Sequence, residues 1–203
     1  HTPTRRQRQM CIRDRTDNIE IPLIGFHNIS NAAATFALTS HIGISTSLIK
    51  KSLKDFQGVE RRFNKVFDFN GVPFFDDYAH HPTEIKEVLN GVKKSFSNKK
   101  VISIFQPHRI SRLNDLSNDF SKSFKNSDQV LLCPVYKAGE KIKIKFKYEK
   151  FARDISKNSK ALVIMVNQKQ DLVNFFKNNL KGNEIVIGMG AGSISGWLKE
   201  LKN

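Results

Sequence analysis

The sequence predicts an α/β fold in which a mostly parallel sheet is covered by helices on both faces. Three observations predict it. Beyond Asn70-Gly71, short apolar runs alternate with stretches of helical periodicity almost to the end of the chain. Strands that alternate with helices pair in parallel, because each crossover helix returns the chain to the same end of the sheet. The Asn-Gly pair itself joins two strand-like segments, which predicts a hairpin and one antiparallel edge strand.

Two helices are predicted ahead of the sheet. Three consecutive alanines, residues 32–34, favour a first helix that Gly43 ends. Ser45 is the predicted N-cap of a second helix over about residues 46–56, where apolar residues recur on one face. We place the boundary between this N-terminal segment and the α/β domain near Gly58.

The remaining elements follow from periodicity and from the residues that begin and end them. Strands are predicted over residues 63–69, 72–75, 101–105, 129–133, 161–166 and 184–188. Helices are predicted over residues 82–96, 109–124, 149–158, 168–180 and 193–201. Between residues 141 and 147 lysines alternate with apolar residues, a pattern that fits a short edge strand or a mobile loop.

The chain is strongly basic, with 34 Lys and Arg against 19 Asp and Glu and a formal net charge of +15. Its lysines are scattered along the sequence, and no basic motif is interleaved with aromatic residues as in RNA-recognition modules. We therefore expect a solvated basic surface on a protein that handles phosphorylated or carboxylated substrates, and no nucleic acid partner. The net charge leaves a basic nucleic-acid-binding module open as an alternative.

Cysteine use and hydropathy indicate the compartment. Cys11 and Cys133 form neither a metal-ligand spacing nor a disulfide framework, which is typical of the reducing cytoplasm. No apolar run approaches the roughly 20 residues that a bilayer crossing needs, so we expect no membrane insertion. Residues 1–15 carry five arginines without apolar periodicity. We interpret them as a non-native, adapter-like segment and exclude them from the fold.

Polar side chains follow the predicted strand 72–75. This apolar run ends in Asp76 and Asp77, and Tyr78, His80 and His81 come next, before a proline that can open a helix. Ligands of open α/β sheets bind at this edge, where a carboxylate can accept ribose hydroxyls and an imidazole can contact phosphate or a metal. A strand–turn–helix junction with a capping aspartate explains the same pattern. For His81 we favour a helix-capping or buried histidine.

A second candidate cluster follows the predicted strand 101–105. His108 and Arg109 follow this strand after Gln106 and Pro107, and Arg112 lies three residues beyond Arg109, on the same helical face. Cations in a first helical turn oppose the helix dipole, and such broken local rules tend to mark function. Helix N-terminal amides together with two guanidinium groups would bind a carboxylate or a phosphate. The alternative is an exposed basic turn paired with Asp115 or Asp119.

Two further motifs are weaker. Asn28 and Asn31 share one face of the alanine-rich helix, and an Asn side chain matches the N6/N7 edge of adenine. An Asn at a helix start is also a common cap. The glycine-rich residues 188–193 lack the lysine of a P-loop and the dinucleotide-binding spacing, so we predict a tight turn there.

Six segments, taken together and in order, resemble the Mur ligase family. They are residues 25–32, 58–63, 76–84, 105–109, 136–140 and 189–192. The resemblance covers about residues 21–203. Because it includes Gln106-Pro107-His108-Arg109, it favours the members that join L-alanine to UDP-N-acetylmuramate over those that recycle murein tripeptide.

The resemblance implies a domain organisation and a reaction. Family members have a UDP-sugar domain, a central ATPase domain and a Rossmann-like C-terminal domain. Residues 16–57 would then be a short helical remnant of the central ATPase domain, and residues 58–203 the C-terminal Mur ligase domain. The family uses ATP and Mg²⁺ to turn a carboxylate into an acyl phosphate, which the amine of L-alanine attacks. The missing N-terminal domains of the same chain would be partners, and the present chain is expected to be inactive alone.

The resemblance also implies roles for individual residues. His27, Asn28 and Asn31 would bind ATP at its adenine. Arg62 and His80 would be catalytic groups near the phosphates, Arg62 also binding ATP, and Asp77 would bind its ribose. The L-alanine carboxylate would lie against His108, Arg109, Arg112 and Tyr78. No metal ligand is assigned.

Overall fold

The computed structural model describes residues 18–23, 26–141 and 146–201, without the side chains of residues 26 and 27. The adapter-like residues 1–15 and residues 142–145 of the lysine-alternating segment lie outside this part. The chain divides between Gly58 and Val59 into two compact units. Within the described ranges no helix has both the length and the apolar character needed to cross a bilayer.

Among its described residues, the N-terminal unit contains two helices, α1 (Phe26–His41) and α2 (Thr46–Asp55). Ser45 occupies the N-cap position of α2, but its hydroxyl makes no cap hydrogen bond and instead lies 3.4 Å from the Ser47 hydroxyl. The predicted N-cap position of Ser45 is therefore confirmed, although no side-chain hydrogen bond completes the cap. Ile49 is the only buried residue among those described in this unit. Two helices of this length have too little surface between them to enclose a core.

The second unit contains a six-stranded sheet with the strand order β1-β2-β6-β3-β4-β5. The strands are β1 (Asn64–Phe69), β2 (Val72–Asp77), β3 (Lys100–Phe105), β4 (Gln129–Leu132), β5 (Leu162–Met165) and β6 (Glu184–Met189). β1 is antiparallel to β2, and the other pairs are parallel. Asn70 and Gly71 join β1 to β2 with φ angles of 49° and 75°, as the primed hairpin turns require. The predicted mostly parallel sheet and its antiparallel edge strand are confirmed.

Six helices accompany the sheet within the described part of this unit. They are α3 (Pro82–Ser95), α4 (Ile110–Asp115), α5 (Ser117–Lys122), α6 (Tyr148–Ser159), α7 (Lys169–Asn179) and α8 (Ile194–Leu201). The predicted continuous helix over residues 109–124 is wrong, because Leu116 breaks it with φ −111° and ψ 17°. These angles lie in the sparsely allowed bridge region of φ/ψ space, and Leu116 separates the two short helices α4 and α5.

Each face of the sheet has its own apolar core, because neighbouring residues of a strand point to opposite faces. On one face Phe105 packs with residues of α3, α5 and α6. On the other face Ile104 packs with Phe74 and with residues of α7 and α8. Helices therefore cover both faces, as predicted.

Candidate functional site at the carboxyl edge of the sheet

The two candidate clusters follow β2 and β3. These strands are not neighbours in the sheet, because β6 lies between them and pairs with both. Parallel strands still end at one edge of the sheet, so the segments that leave them meet beyond β6. The rings of His80 and His108 are 5.6 Å apart, centroid to centroid. The structure thus brings the two clusters together.

Four rings form a continuous row across this edge, which we call the aromatic row: Tyr78, His80, His108 and Tyr136. The centroid separations along it are 5.0, 5.6 and 5.8 Å. The first two contacts are edge-to-face, and His108 stacks on Tyr136 with an interplanar angle of 16°. Tyr136 was not a predicted site residue. It reaches the row because its segment follows β4, the next strand of the sheet.

His80 is fixed by its own turn. Its Nδ1 lies 3.0 Å from the Tyr78 carbonyl and 3.5 Å from a carboxylate oxygen of Glu84. Because a carbonyl only accepts, the Nδ1 that faces it carries a proton. His81 is the N-cap of α3, where its ring accepts the Thr83 N–H. The predicted capping role of His81 is confirmed.

Asp77 is a buried anchor, 3% exposed. One carboxylate oxygen accepts the Ala79 N–H at 2.7 Å, and the other accepts the Phe63 N–H at 2.9 Å. Burial raises the pKa of Asp77 from 3.8 to about 6, although both hydrogen bonds and the charge of Arg62 oppose the rise. The carboxylate therefore ties the segment that enters β1 to the end of β2.

We expect the wild-type chain to gain stability relative to Asp77→Asn as the pH falls from about 7 to about 4. A carboxyl whose pKa is higher in the folded state adds stability as the pH falls through the folded value, and the gain is complete below the unfolded value. For a pKa of about 6 against 3.8, the gain is at most about 3 kcal/mol at 1.36 kcal/mol per pH unit. Urea denaturation across this range measures it, with Asp68→Asn on the exposed edge strand as control. Identical pH profiles for wild type and Asp77→Asn would contradict it.

Arg61, which the sequence analysis did not single out, is a central group of the edge. Its guanidinium carbon lies 4.7 Å from the centre of the Tyr78 ring, and the guanidinium donates to the Gly190 carbonyl. Its Nε lies 3.6 Å from a carboxylate oxygen of buried Asp76. The predicted Arg62 has an exposed side chain, and its charge favours the ionised forms of nearby carboxylates. Two adjacent arginines in the sequence do not indicate which side chain is buried, and the structure buries Arg61 more than Arg62, with a φ of +60° at Arg61.

The second cluster presents unmatched cationic groups. Arg109 stands at the N-cap of α4 with an exposed side chain, and Arg112 is half-buried. An Arg112 guanidinium nitrogen and the His108 Nδ1 are buried without a hydrogen-bond partner among the described residues. Burial and the charges of His80, Arg112 and Arg109 lower the pKa of His108. Polar groups buried in this way favour an anionic ligand that can accept from them.

The alternative pairing of these arginines is not observed. Within residues 18–23, 26–141 and 146–201, neither Arg109 nor Arg112 forms an ion pair with Asp115 or Asp119. The two guanidinium groups are therefore not neutralised by their own helices.

The predicted use of the α4 amides is wrong, because a side chain of the protein already occupies them. Glu140 accepts the Ile110 N–H at 2.8 Å and the Ser111 N–H at 3.4 Å, and it also accepts the Ser111 hydroxyl. These bonds lower the pKa of Glu140. An anionic ligand at this edge would therefore meet the guanidinium groups rather than the helix terminus. In the sequence, the one feature that could have indicated this contact is the position of Glu140 in the turn that follows the apolar strand β4.

The glycine-rich segment after β6 is a tight turn, as predicted. The Gln106 side-chain oxygen accepts the Ile194 N–H at 3.0 Å, and its amide donates to the Ser193 hydroxyl at 3.0 Å. A Cβ on Gly192 would lie 2.5 Å from that oxygen. The glycines thus allow the turn to pack against the residue that follows β3.

The predicted adenine-binding residues lie on α1 of the N-terminal unit, where Asn28 is half-buried and Asn31 is exposed. The side chain of His27 lies outside the described part. Among the side chains that the structure describes, no group of three or more His, Cys, Asp or Glu could hold a metal ion. We therefore assign no Mg²⁺ ligand.

Comparison with known proteins agrees with this arrangement. Residues 61–192 match the family model of the Mur ligase glutamate ligase domain. A UDP-N-acetylmuramate–L-alanine ligase of Pelagibacter ubique is 58% identical over 183 residues, which are 90% of this chain and 39% of the relative. The chain thus spans about two fifths of the length of that relative.

Two solved structures share the fold. A UDP-N-acetylmuramate-alanine ligase of Thermotoga maritima superposes with a TM-score of 0.75 at 28% identity, over 92% of this chain and 39% of that one. A murein peptide ligase of Psychrobacter arcticus superposes with a TM-score of 0.66 at 23% identity, over 92% and 40%. The second likeness shows the fold alone.

Proposed function

The chain belongs to the Mur ligase family, and from that membership we propose that it is the C-terminal part of an ATP-dependent ligase of peptidoglycan synthesis. The whole enzyme would join L-alanine to the carboxylate of UDP-N-acetylmuramate in the cytoplasm. The identity of 58% to a ligase of that name supports this reaction over the recycling of murein peptides.

One observation carries the assignment of the amino acid site. Arg112 and His108 each bury a nitrogen without a hydrogen-bond partner among the described residues, and the charges of Arg112 and of the exposed Arg109 both act on the His108 ring. A carboxylate held by two guanidinium groups forms charge-assisted hydrogen bonds of about 1.5–3 kcal/mol each. We propose that the L-alanine carboxylate binds there, which would fix the direction of its amine and lower the entropic barrier of a bimolecular step. Tyr78 would border the site through the aromatic row.

ATP would supply the phosphoryl group that converts the muramoyl carboxylate into an acyl phosphate. The alanine amine would attack that carbonyl carbon, and phosphate would leave as the amide forms. Arg62, exposed beside Asp77 and Glu84, and His80 in the aromatic row would stand near the phosphates. Asp77 would bind the ATP ribose through the lone pairs that remain on its oxygens, each of which already accepts one backbone N–H. Asn28, Asn31 and His27 would contribute to adenine binding.

The N-terminal unit supports the proposal of a longer enzyme. Its described residues bury only Ile49, while Leu38, Ile42 and Leu48 are more than half exposed. Exposed apolar clusters of this kind mark surfaces that another part of a protein covers. We propose that the two helices are the end of the central ATPase domain and that preceding residues of the same protein cover them. Mg²⁺ would be held outside the described side chains.

A chimera tests the function. We would join the N-terminal part of the Pelagibacter ubique ligase to residues 18–203 and measure ADP release that depends on L-alanine. Arg109→Ala should lower kcat/KM for L-alanine by about 10- to 100-fold, the effect of one lost charge-assisted hydrogen bond, with the KM for ATP unchanged. Arg153→Ala, an exposed arginine on α6, is the matched control and should have no effect.

Two results would contradict the proposal. Unchanged alanine dependence in Arg109→Ala would remove the amino acid site from this edge. ADP release driven by a murein tripeptide but not by L-alanine would reassign the chain to the recycling ligases.

A further inference from the structure

Residues 136–140, which we call the clamp loop, hold the segment that carries the two arginines. The Tyr136 N–H donates to the Pro107 carbonyl at 2.9 Å, and the Arg109 N–H donates to the Tyr136 carbonyl at 3.0 Å. At its other end, Glu140 accepts from the first backbone amides of α4. The loop therefore contacts the segment on both sides of Arg109.

The backbone between these contacts is strained. Arg109 has a φ of +67°, in the left-handed region that side chains rarely adopt. Such a conformation costs about 1–3 kcal/mol and persists only where the surroundings over-determine it. At Arg109 this conformation turns the chain from β3 into α4 and places the Arg109 side chain at the start of the helix. The hydrogen bonds of the clamp loop are the contacts that hold this turn.

We propose that Glu140 is a positioning residue of the amino acid site, an inference that rests on the proposed function. Its carboxylate fixes the first turn of α4 and, through that turn, the directions of Arg109 and Arg112. The Glu140 carboxylate also interacts favourably with the positive end of the helix dipole. It thereby offsets the unfavourable effect of two cations at the helix start. Because Glu140 takes the amides of Ile110 and Ser111, the substrate carboxylate is left to the guanidinium groups alone. Glu140 itself touches no substrate.

The first measurement needs no enzymatic activity. In the 203-residue chain, Glu140→Ala should speed hydrogen exchange of the Ile110 and Ser111 amides about 10-fold or more, because each loses its acceptor. Glu140→Gln keeps an acceptor oxygen and should change the exchange much less. Glu149→Ala, an exposed glutamate at the start of α6, is the matched control and should leave these amides unchanged.

The second measurement uses the active chimera. Glu140→Ala should raise the KM for L-alanine about 10-fold with the KM for ATP unchanged, and Glu140→Gln should restore most of the affinity. Formate should partly rescue Glu140→Ala, because a small carboxylate can occupy the vacated place on the amides. Chloride at the same ionic strength should not rescue it. A residue that merely stabilises the fold would show none of this selectivity for one substrate.

The outcomes separate this inference from the proposed function. If the wild-type chimera releases ADP with L-alanine but Glu140→Ala keeps its KM, Glu140 does not position the site. Unchanged exchange at Ile110 and Ser111 would overturn the inference by itself. If the wild-type chimera shows no alanine dependence, the proposed function fails, while faster exchange would still show that Glu140 fixes the start of α4.

Discussion

We expect Asp76→Ala to lower the free energy of unfolding by about 3 kcal/mol, at the lower end of the range for breaking a buried ion pair. Asp76 is 3% exposed, and the Arg61 side chain is 22% exposed, so solvent compensates only part of the loss. Their 3.6 Å contact is an ion pair without a hydrogen bond. Removal of the carboxylate would leave Arg61 near the Gly190 carbonyl and the Tyr78 ring without its counter-ion, and Ser195 without its acceptor.

A matched pair on the neighbouring strand provides the control. Lys65 and Asp68 form an ion pair on β1 in which both side chains are 53% exposed. Asp68→Ala should therefore change stability by no more than about 1 kcal/mol. Urea denaturation of the chain measures both variants. A loss in Asp76→Ala no larger than that in Asp68→Ala would show that the Arg61 contact is not a stabilising element of the edge.

We expect Gly190→Ala to destabilise the chain by about 4 kcal/mol, the sum of two effects. The φ of +149° at this position is strained for any residue with a side chain, at about 1–3 kcal/mol. A Cβ would also lie 2.7 Å from the Gln106 carbonyl oxygen, and overpacking against a fixed backbone atom costs about another 1–3 kcal/mol. Gln106 follows β3 and has no room to move, because its N–H donates to the Met189 carbonyl.

The control for this substitution lies six residues further on. A Cβ on Gly196, inside α8, would meet no atom within 4 Å. Gly196→Ala should therefore leave stability unchanged or raise it by up to about 1 kcal/mol, the difference in helix propensity. Thermal or urea denaturation of both variants measures the contrast. Equal effects of the two substitutions would mean that the turn after β6 accommodates a side chain.

The periodicity of the chain predicted most of the fold. Strands alternate with helices after an Asn-Gly hairpin, and a mostly parallel sheet covered by helices is the arrangement that buries their apolar residues. The break at Leu116 was not predictable, because the residues around it keep helical periodicity on both sides. Apolar periodicity predicts which face of a helix is buried. It does not predict where tertiary packing interrupts the helix.

The sequence by itself determined the fold class, the edge of the sheet at which polar groups collect, and the family. These follow from local residue order, which sets periodicity and places Asp77 at the end of a strand and His80 and Arg109 a few residues beyond strand ends. Only the tertiary structure decided what each group does there. It turned Arg61 rather than Arg62 inward, buried Asp77 as an anchor, and brought Glu140 from 30 residues away onto the amides of α4. Charge pairing and hydrogen bonding depend on distances across the fold, which no local pattern encodes.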